Sequence, residues 1–229
     1  MKVKLISYSA PASDLQLETT PDKSVQDLIA FCARVSNPDN QYNVETSEKL
    51  IKYLIKNKHW SPLEMASACL EIETTRDIAR QILRHRSFSF QEFSQRYADP
   101  TKELEFTTKQ ARLQDTKNRQ NSIEVPEGTK DENGYDLAES WKYHQENVIA
   151  YTKAVYEFAV SNGIAKELAR SVLPEGLTMS RMYVNGTLRS WVHYIELRSE
   201  NGTQLEHIEI AKECAKVISS IFPLVSNYK

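Results

Sequence analysis

The chain has 229 residues, 40 % apolar and 26 % charged, with six Gly, eight Pro and a formal net charge of -2. That length and balance build a core without disulfide support and exclude disordered and collagen-like classes. A nearly neutral chain also has no overall field to draw it to nucleic acid or an acidic membrane, so any anion must be held locally.

Residues 2–8, KVKLISY, alternate with a β-branched bias and read as a strand. Ser24 opens a helix, VQDLIAFCARVS, with Val25, Leu28, Ile29 and Cys32 at helical spacing, and a second runs from about Thr46 to Lys56 on Leu50, Ile51, Leu54 and Ile55. In HWSPLEM, Ser61, Pro62 and Glu64 fit N-cap, N1 and N3 of a capping box, a helix start whose amides face back toward His59 and could receive an anion. Residues 66–73 alternate as a strand with Ala66, Ala68, Leu70 and Ile72 on one face. TTRDIARQILRHR is then helical, with Thr75 as cap and Ile78, Ala79, Ile82 and Leu83 inward.

The polar stretch 112–136 has almost no periodicity and reads as a long loop or insertion. From Leu137 to Ser161 a long helix carries Trp141, Val148, Tyr151, Val155 and Phe158, and Gly163 ends it. A shorter helix, IAKELARSVLP, directs Leu168, Val172 and Leu173 to the core and stops at Pro174. Residues 177–184 fit a strand, followed by helices over Thr187 to Arg198 and Leu205 to Ile221, the latter introduced by Thr203 and Glu206 as a capping box. Helices outnumber strands and no βαβ series is present, so the class is α+β, as one domain over 1–229. No apolar run approaches the ~20 residues that span a bilayer, and MKVKLISYSAPASD lacks a signal-peptide core, so a cytoplasmic protein away from the membrane is expected. Cys32, Cys69 and Cys214 lie far apart in apolar-periodic segments and read as reduced core residues, and without CxxC or HExxH no metal is expected.

The chemistry concentrates in RHRSFSFQEFSQRY, residues 84–97. Helical spacing sets Gln81, Arg84 and His85 on one face, where cations at a helix C-terminus gain ~0.3–1 kcal/mol from the macrodipole. If the chain after Arg86 is extended, Glu92, Ser94 and Arg96 share one side; an arginine beside a hydroxyl makes a fork for phosphate, and the carboxylate can orient a ribose hydroxyl or hold the arginines. In TLRSWVHYIELR, Leu188, Trp191, Val192 and Ile195 form the apolar stripe, with Arg198 ~20° from Trp191 at its edge and in need of a partner. Arg189 and His193 are neighbours on the opposite face. With no GxSxG, P-loop, GxGxxG or cysteine in a polar loop, phosphates would be held by arginines and helix ends. Spacing alone leaves three readings: a salt-bridged helix end, a nucleotide or cofactor site, or a single-strand binder stacking bases on Phe88, Phe90 and Tyr97.

The pattern Arg-His-Arg, seven residues, Ser resembles the signature of the flavin-dependent thymidylate synthases. HWSPLE, ARVS at 33–36, ARSVLP and LRSWVHYIELR resemble further elements of that family, in its order, over roughly residues 30 to 215. The resemblance implies an α+β fold with a mixed or antiparallel sheet and several long helices. It implies conversion of dUMP to dTMP with methylenetetrahydrofolate as carbon donor, FAD as cofactor and NADPH as hydride source, in a homotetramer whose active sites combine subunits. No enzyme nucleophile is required, since the cofactors carry the chemistry. By position, Ser36, His59, Ser61, Arg84, His85 and Arg86 resemble the flavin contacts, joined by Glu92, Arg189 and His193. Gln81, Ser94, Gln95, Arg96 and Arg170 resemble the dUMP contacts, which Arg84 and Glu92 share, with Ser94, Arg96 and Arg170 suited to the phosphate. Arg198 is the implied catalytic residue, facing the pyrimidine carbonyl, where a guanidinium would stabilise charge as C5 is activated. The chain departs from the family at Ser61, commonly Thr; at Met65 and Gln91, where some members have His and Asn; and at Gly202, where many have a histidine, which leaves open whether His207 compensates.

Overall fold

The computed structural model describes residues 1–20 and 23–228. Period-two alternation produces its central layer. Strand β1 (Lys2–Tyr8) pairs antiparallel with β2 (Ser67–Thr75), Lys2 opposite Glu73, with a register shift between Leu5 and Ser7. Strand β2 pairs along its whole length with β6 (Met179–Thr187), and β3 (Ser89–Glu92) closes the far edge with Ser89 opposite Asn185. The order is β1-β2-β6-β3 and every pairing is antiparallel, which resolves the expected mixed or antiparallel sheet.

Ala66, Ala68, Leu70 and Ile72 do share a buried face, as their alternation requires, and Met182 and Val184 of β6 continue it. Over it pack α1 (Ser24–Ala33), α2 (Ser47–Lys56), α7 (Leu188–Ser199) and α8 (Leu205–Ile218), which contribute Val25, Ile29, Ile51, Trp191, Ile195 and Ile210. Each such aliphatic side chain contributes ~1.5–3 kcal/mol by leaving water. The indole N–H of Trp191 donates to the carbonyl of Ala68 at 3.0 Å, so the helix stripe and the sheet lock through a polar bond as well.

Helix α3 (Arg76–Ile82) leaves β2 directly; Thr75 holds the N-cap position, but its hydroxyl donates to Asp77 instead of receiving a backbone amide. The single turn α4 (Pro100–Glu103) follows. The stretch 112–136 is not structureless: β4 (Arg112–Gln114) and β5 (Ser122–Glu124) form a hairpin inside it. Three-residue strands are too short to leave a period-two signal. The hairpin is pinned by Arg112, whose guanidinium bonds Glu206 at 2.6 Å.

Helix α5 (Leu137–Ser161) has the expected bounds, with Gly163 at φ +76° beyond its end. Its inward face is Tyr156 and Ala159, packed on Ala169 and Leu173, whereas Trp141, Val148, Tyr151 and Phe158 lie exposed. Leu168 and Val172 are exposed too, contrary to expectation. The short α6 (Lys166–Ala169) gives way to a 3₁₀ turn over Arg170–Val172, whose tighter winding leaves Ala169 and Leu173 facing inward.

Both expected capping boxes fail for one reason. Residues Ser61–Met65 form a 3₁₀ turn whose N-cap is Trp60, and the Glu64 carboxylate goes to Arg189 at 2.5 Å. The N-cap of α8 is Gln204, and Glu206 goes to Arg112. A carboxylate bonded to a guanidinium makes a stronger contact than one bonded to a backbone amide, so the distant partner wins. Helix α8 ends at Ile218, three residues short of the expected Ile221. Among the described residues no helix is long and apolar enough to cross a membrane, and the three cysteines are unpaired, Cys214 buried and Cys32 and Cys69 half-buried.

Candidate active site

Helix α3 stops at Ile82, so Arg84, His85 and Arg86 form the turn beyond it, and the amide of His85 bonds the Ile82 carbonyl at 3.0 Å. Phe88 anchors this turn. Its buried ring packs 4.6 Å from Trp191 and lies so close to Gly186 of β6 that a Cβ there would meet ring carbon Cδ1 at 2.3 Å. The hydroxyl of Ser190 adds a bond to the Ser87 carbonyl at 3.3 Å. Arg84 and Arg86 are left exposed, with no ion-pair partner among the described residues.

Arg198 finds the partner its position demands, and that partner is uncharged. Its Nε donates to His85 Nε2 at 2.9 Å, while the imidazole meets Tyr194 edge-on at 5.0 Å. Burial, reinforced by the charges of Arg198 and Arg84, pushes His85 down to about 4, so the ring stays neutral and accepts. Among the described residues Arg198 therefore faces no carboxylate, in contrast to Arg76, Arg80, Arg112, Arg181 and Arg189, each of which does. Below this pair, His207 is completely buried between Gln81 Oε1 and the Tyr194 hydroxyl, each at 3.1 Å, and Gln81 Nε2 donates to Gln204 Oε1 at 2.8 Å. Gly202, at φ +95°, sits apart in the loop before α8. His207 thus lies inside the core and does not stand in for a histidine at the site's edge.

Glu92 accepts from Ser180 Oγ at 2.8 Å and faces Arg76 at 3.7 Å and Arg80 at 3.5 Å, with Glu175 bridging the same two arginines. Arg76 and Arg80 escaped the sequence reading, although their i,i+4 spacing on a helix was the available signal. Ser94 and Arg96 do not continue the extended strand from Glu92. The chain turns there, with the amides of Tyr97 and Ala98 both bonded to the Ser94 carbonyl, because Phe93 makes the last bond to β6, at the Arg181 carbonyl. Arg96 pairs with the Glu167 carboxylate at 3.1 Å and Arg170 donates to the Glu167 carbonyl at 3.3 Å, so these two meet on one residue. Gln95 is buried, and its Nε2 has no partner among the described residues.

The remaining expected residues gather around the 61–65 turn. Ser61 lines an open groove of about 530 Å³ with Cys32, Val35 and Met65, at the end of α1, and Ser36 lies exposed just beyond. His59 is exposed beside Tyr53, their ring centres 6.4 Å apart. Arg189 is tied to Glu64, and His193 meets Trp60 edge-on at 4.6 Å, its pKa lowered by burial and then by Arg189. The expected residues thus fall into three groups, and no hydrogen bond or ion pair joins one group to another among the described residues.

Together these features define an α+β protein with two exposed guanidiniums, Arg84 and Arg86, that have no ion-pair partner among the described residues. The chain belongs to the thymidylate synthase complementing protein family, whose model matches residues 17–224. It is 46 % identical over 227 residues to a probable flavin-dependent thymidylate synthase of Paramecium bursaria Chlorella virus 1, covering 99 % of this chain and 97 % of the relative. It is also 46 % identical over 228 residues to the flavin-dependent thymidylate synthase of a Synechocystis species, covering 99 % and 98 %. In fold it is similar to a crystal structure of the UMP/dUMP methylase PolB from Streptomyces cacaoi bound with 5-Br dUMP, with a TM-score of 0.77 at 21 % identity over 99 % of this chain and 93 % of that one.

Proposed function

We propose that this chain is a flavin-dependent thymidylate synthase. It converts dUMP, methylenetetrahydrofolate, NADPH and a proton into dTMP, tetrahydrofolate and NADP, with FAD as the bound cofactor. The full-length likeness to two enzymes of that name supports the reading. The structural observation that carries it is Arg198, a partly buried cation whose one polar partner among the described residues is a neutral imidazole.

The residues present fit a flavin nucleotide. Arg84 and Arg86 are exposed guanidiniums with no acidic partner among the described residues, the donor set a pyrophosphate requires. Ser61 offers a further polar contact in the groove, and Ser36, His59, Arg189 and His193 are carried to the flavin by the family resemblance, Arg189 and His193 being held by Glu64 and Trp60. When bound, FAD supplies the hydride that reduces the transferred one-carbon unit. Arg198 stabilises negative charge on the pyrimidine carbonyl as C5 becomes nucleophilic, and the neutral His85 orients it without drawing on its charge. Ser94, Arg96 and Arg170 hold the 5′-phosphate. The Arg96–Glu167 pair is more than half exposed on both sides and so is worth ~0–1 kcal/mol, little enough for a phosphate to compete. Burial raises the Cys32 and Cys69 thiols, which suits a reaction without an enzyme thiolate.

A homotetramer in the cytoplasm accounts for the rest. The exposed apolar row of Trp141, Val148, Tyr151 and Phe158, with Leu168 and Val172 nearby in sequence, suits a subunit interface. Three groups of site residues with no hydrogen bond or ion pair between them among the described residues suit a site completed by neighbouring subunits. The test is spectroscopic. Protein loaded with FAD is reduced by NADPH without oxygen, and adding dUMP with methylenetetrahydrofolate restores the oxidised-flavin absorbance; no return of that absorbance contradicts the reading.

A further inference from the structure

Every polar atom of the buried His207 ring is committed, and the commitments have a direction. Gln81 Nε2 donates to Gln204 Oε1 at 2.8 Å, which turns Gln81 Oε1 toward His207 Nδ1 at 3.1 Å. An amide oxygen only accepts, so Nδ1 carries the proton, and in a neutral imidazole Nε2 must then accept. Its neighbour at 3.1 Å is the Tyr194 hydroxyl, which can donate. The chain therefore runs Tyr194 O–H to Nε2, Nδ1–H to Gln81 Oε1, and Gln81 N–H to Gln204, leaving the second N–H of the Gln81 amide as the one donor with no partner in the network. Both ends of the ring are kept in this state: burial, with the charges of Arg198 and His85, pushes His207 down to about 3, and burial holds the Tyr194 phenol well above its usual range.

We infer that His207 is a positioning residue for dUMP: by fixing the Gln81 amide through Nδ1, it aims the free N–H of Gln81 at a hydrogen-bond acceptor of the nucleotide. This rests on the functional reading above, which puts Gln81 among the nucleotide contacts. Without the Nδ1 donor the amide can turn over and present its oxygen, which repels phosphate and carbonyl alike. His207 so placed acts from the core, and its sequence neighbour Glu206 ties the same helix start to the 112–124 hairpin through Arg112.

Two polar variants separate the two sides of the ring. His207→Asn keeps a donor at the Nδ1 position, and His207→Gln places its amide toward Tyr194 and leaves Gln81 without its bond. Both are made in full-length protein loaded with FAD, and dUMP affinity is measured by calorimetry, with thermal midpoint and FAD affinity as controls. The expected result is that H207Q binds dUMP about tenfold more weakly while H207N stays within about threefold of wild type. In a Gln81→Ala background H207Q adds no further loss. Equal affinities of H207N and H207Q, or an H207Q loss that adds in full to that of Q81A, overturns the inference while leaving the function intact. Failure of the wild-type protein itself to bind dUMP overturns both. Deoxyuridine in place of dUMP identifies the acceptor: a tenfold gap that persists places it on the base or sugar, and one that vanishes places it on the phosphate, each in agreement with an aimed N–H donor.

Discussion

Gly186→Ala tests whether the Arg84–Arg86 turn is held down by Phe88. In a strand this substitution ordinarily helps, by about 0.4–1 kcal/mol, because alanine has less freedom to lose on folding. Here the new Cβ would stand 2.3 Å and 2.6 Å from two carbons of the Phe88 ring, whereas carbon contacts settle near ~3.5–4.0 Å. The ring must retreat by more than an ångström, and Trp191 at 4.6 Å and Phe90 at 6.2 Å between centroids leave it nowhere to go but outward. Re-exposing Phe88 costs about 1.5–3 kcal/mol, and forced overpacking a similar 1–3 kcal/mol, so that after the backbone gain is subtracted the loss from re-exposure is about 0.5–2.6 kcal/mol. At about 2–4 °C per kcal/mol for a chain of this size, the thermal midpoint falls by roughly 1–10 °C. FAD titration should weaken with it, since Arg86 is two residues from the displaced ring. Adding Phe88→Ala removes the clash, so the double variant should be no less stable than F88A alone. Wild-type midpoint and FAD affinity in G186A, or full additivity in the double variant, would refute the reasoning.

Arg198→Ala should leave circular dichroism and flavin binding unchanged and cut turnover about 100- to 1,000-fold, the usual effect of losing a group that stabilises developing charge; unchanged dTMP formation removes Arg198 from its role. Glu92→Gln leaves the buried Arg76 with Glu175 as its remaining carboxylate and should lower stability by about 1–3 kcal/mol in urea unfolding, while a shift below a few tenths would contradict the bracing role. His85 and His207 have folded values of about 4 and about 3, below the ~6.5 of an unfolded histidine, so the fold binds fewer protons than the unfolded chain in between. Their stabilising contribution is complete above about pH 6.5 and is lost as pH falls toward those values. Urea midpoints should therefore drop from pH 7 to pH 5, less steeply in H207N, and a rise on acidification would count against neutral buried rings.

Strong periodicity carried the legible part of the fold. Ala66 to Ile72 alternated and became the inner face of β2, and the bounds of α5 followed from a long helical stretch closed by Gly163. What failed was decided by partners far away in the chain. Glu64 leaves its expected cap for Arg189, 125 residues on, and Glu206 leaves its own for Arg112, 94 residues back, and no local pattern encodes either choice. Ser94 and Arg96 were expected to align with Glu92, yet the chain turns after Phe93, because where a strand ends depends on its neighbour's length. Arg198 needed a partner by its place on the helix, and only the fold could show that the partner is a neutral histidine. The apolar residues of α5 were visible as a row, while their exposure depended on the short α6 covering just one side.

The most direct measurement is product formation by the purified protein supplied with dUMP, methylenetetrahydrofolate, NADPH and FAD, with dTMP and tetrahydrofolate separated and quantified. A flavin-dependent synthase yields dTMP and tetrahydrofolate in equal amounts, one per NADPH oxidised, in strict dependence on FAD. Absence of dTMP, or dTMP formed without FAD and with dihydrofolate as its companion, would contradict that reading.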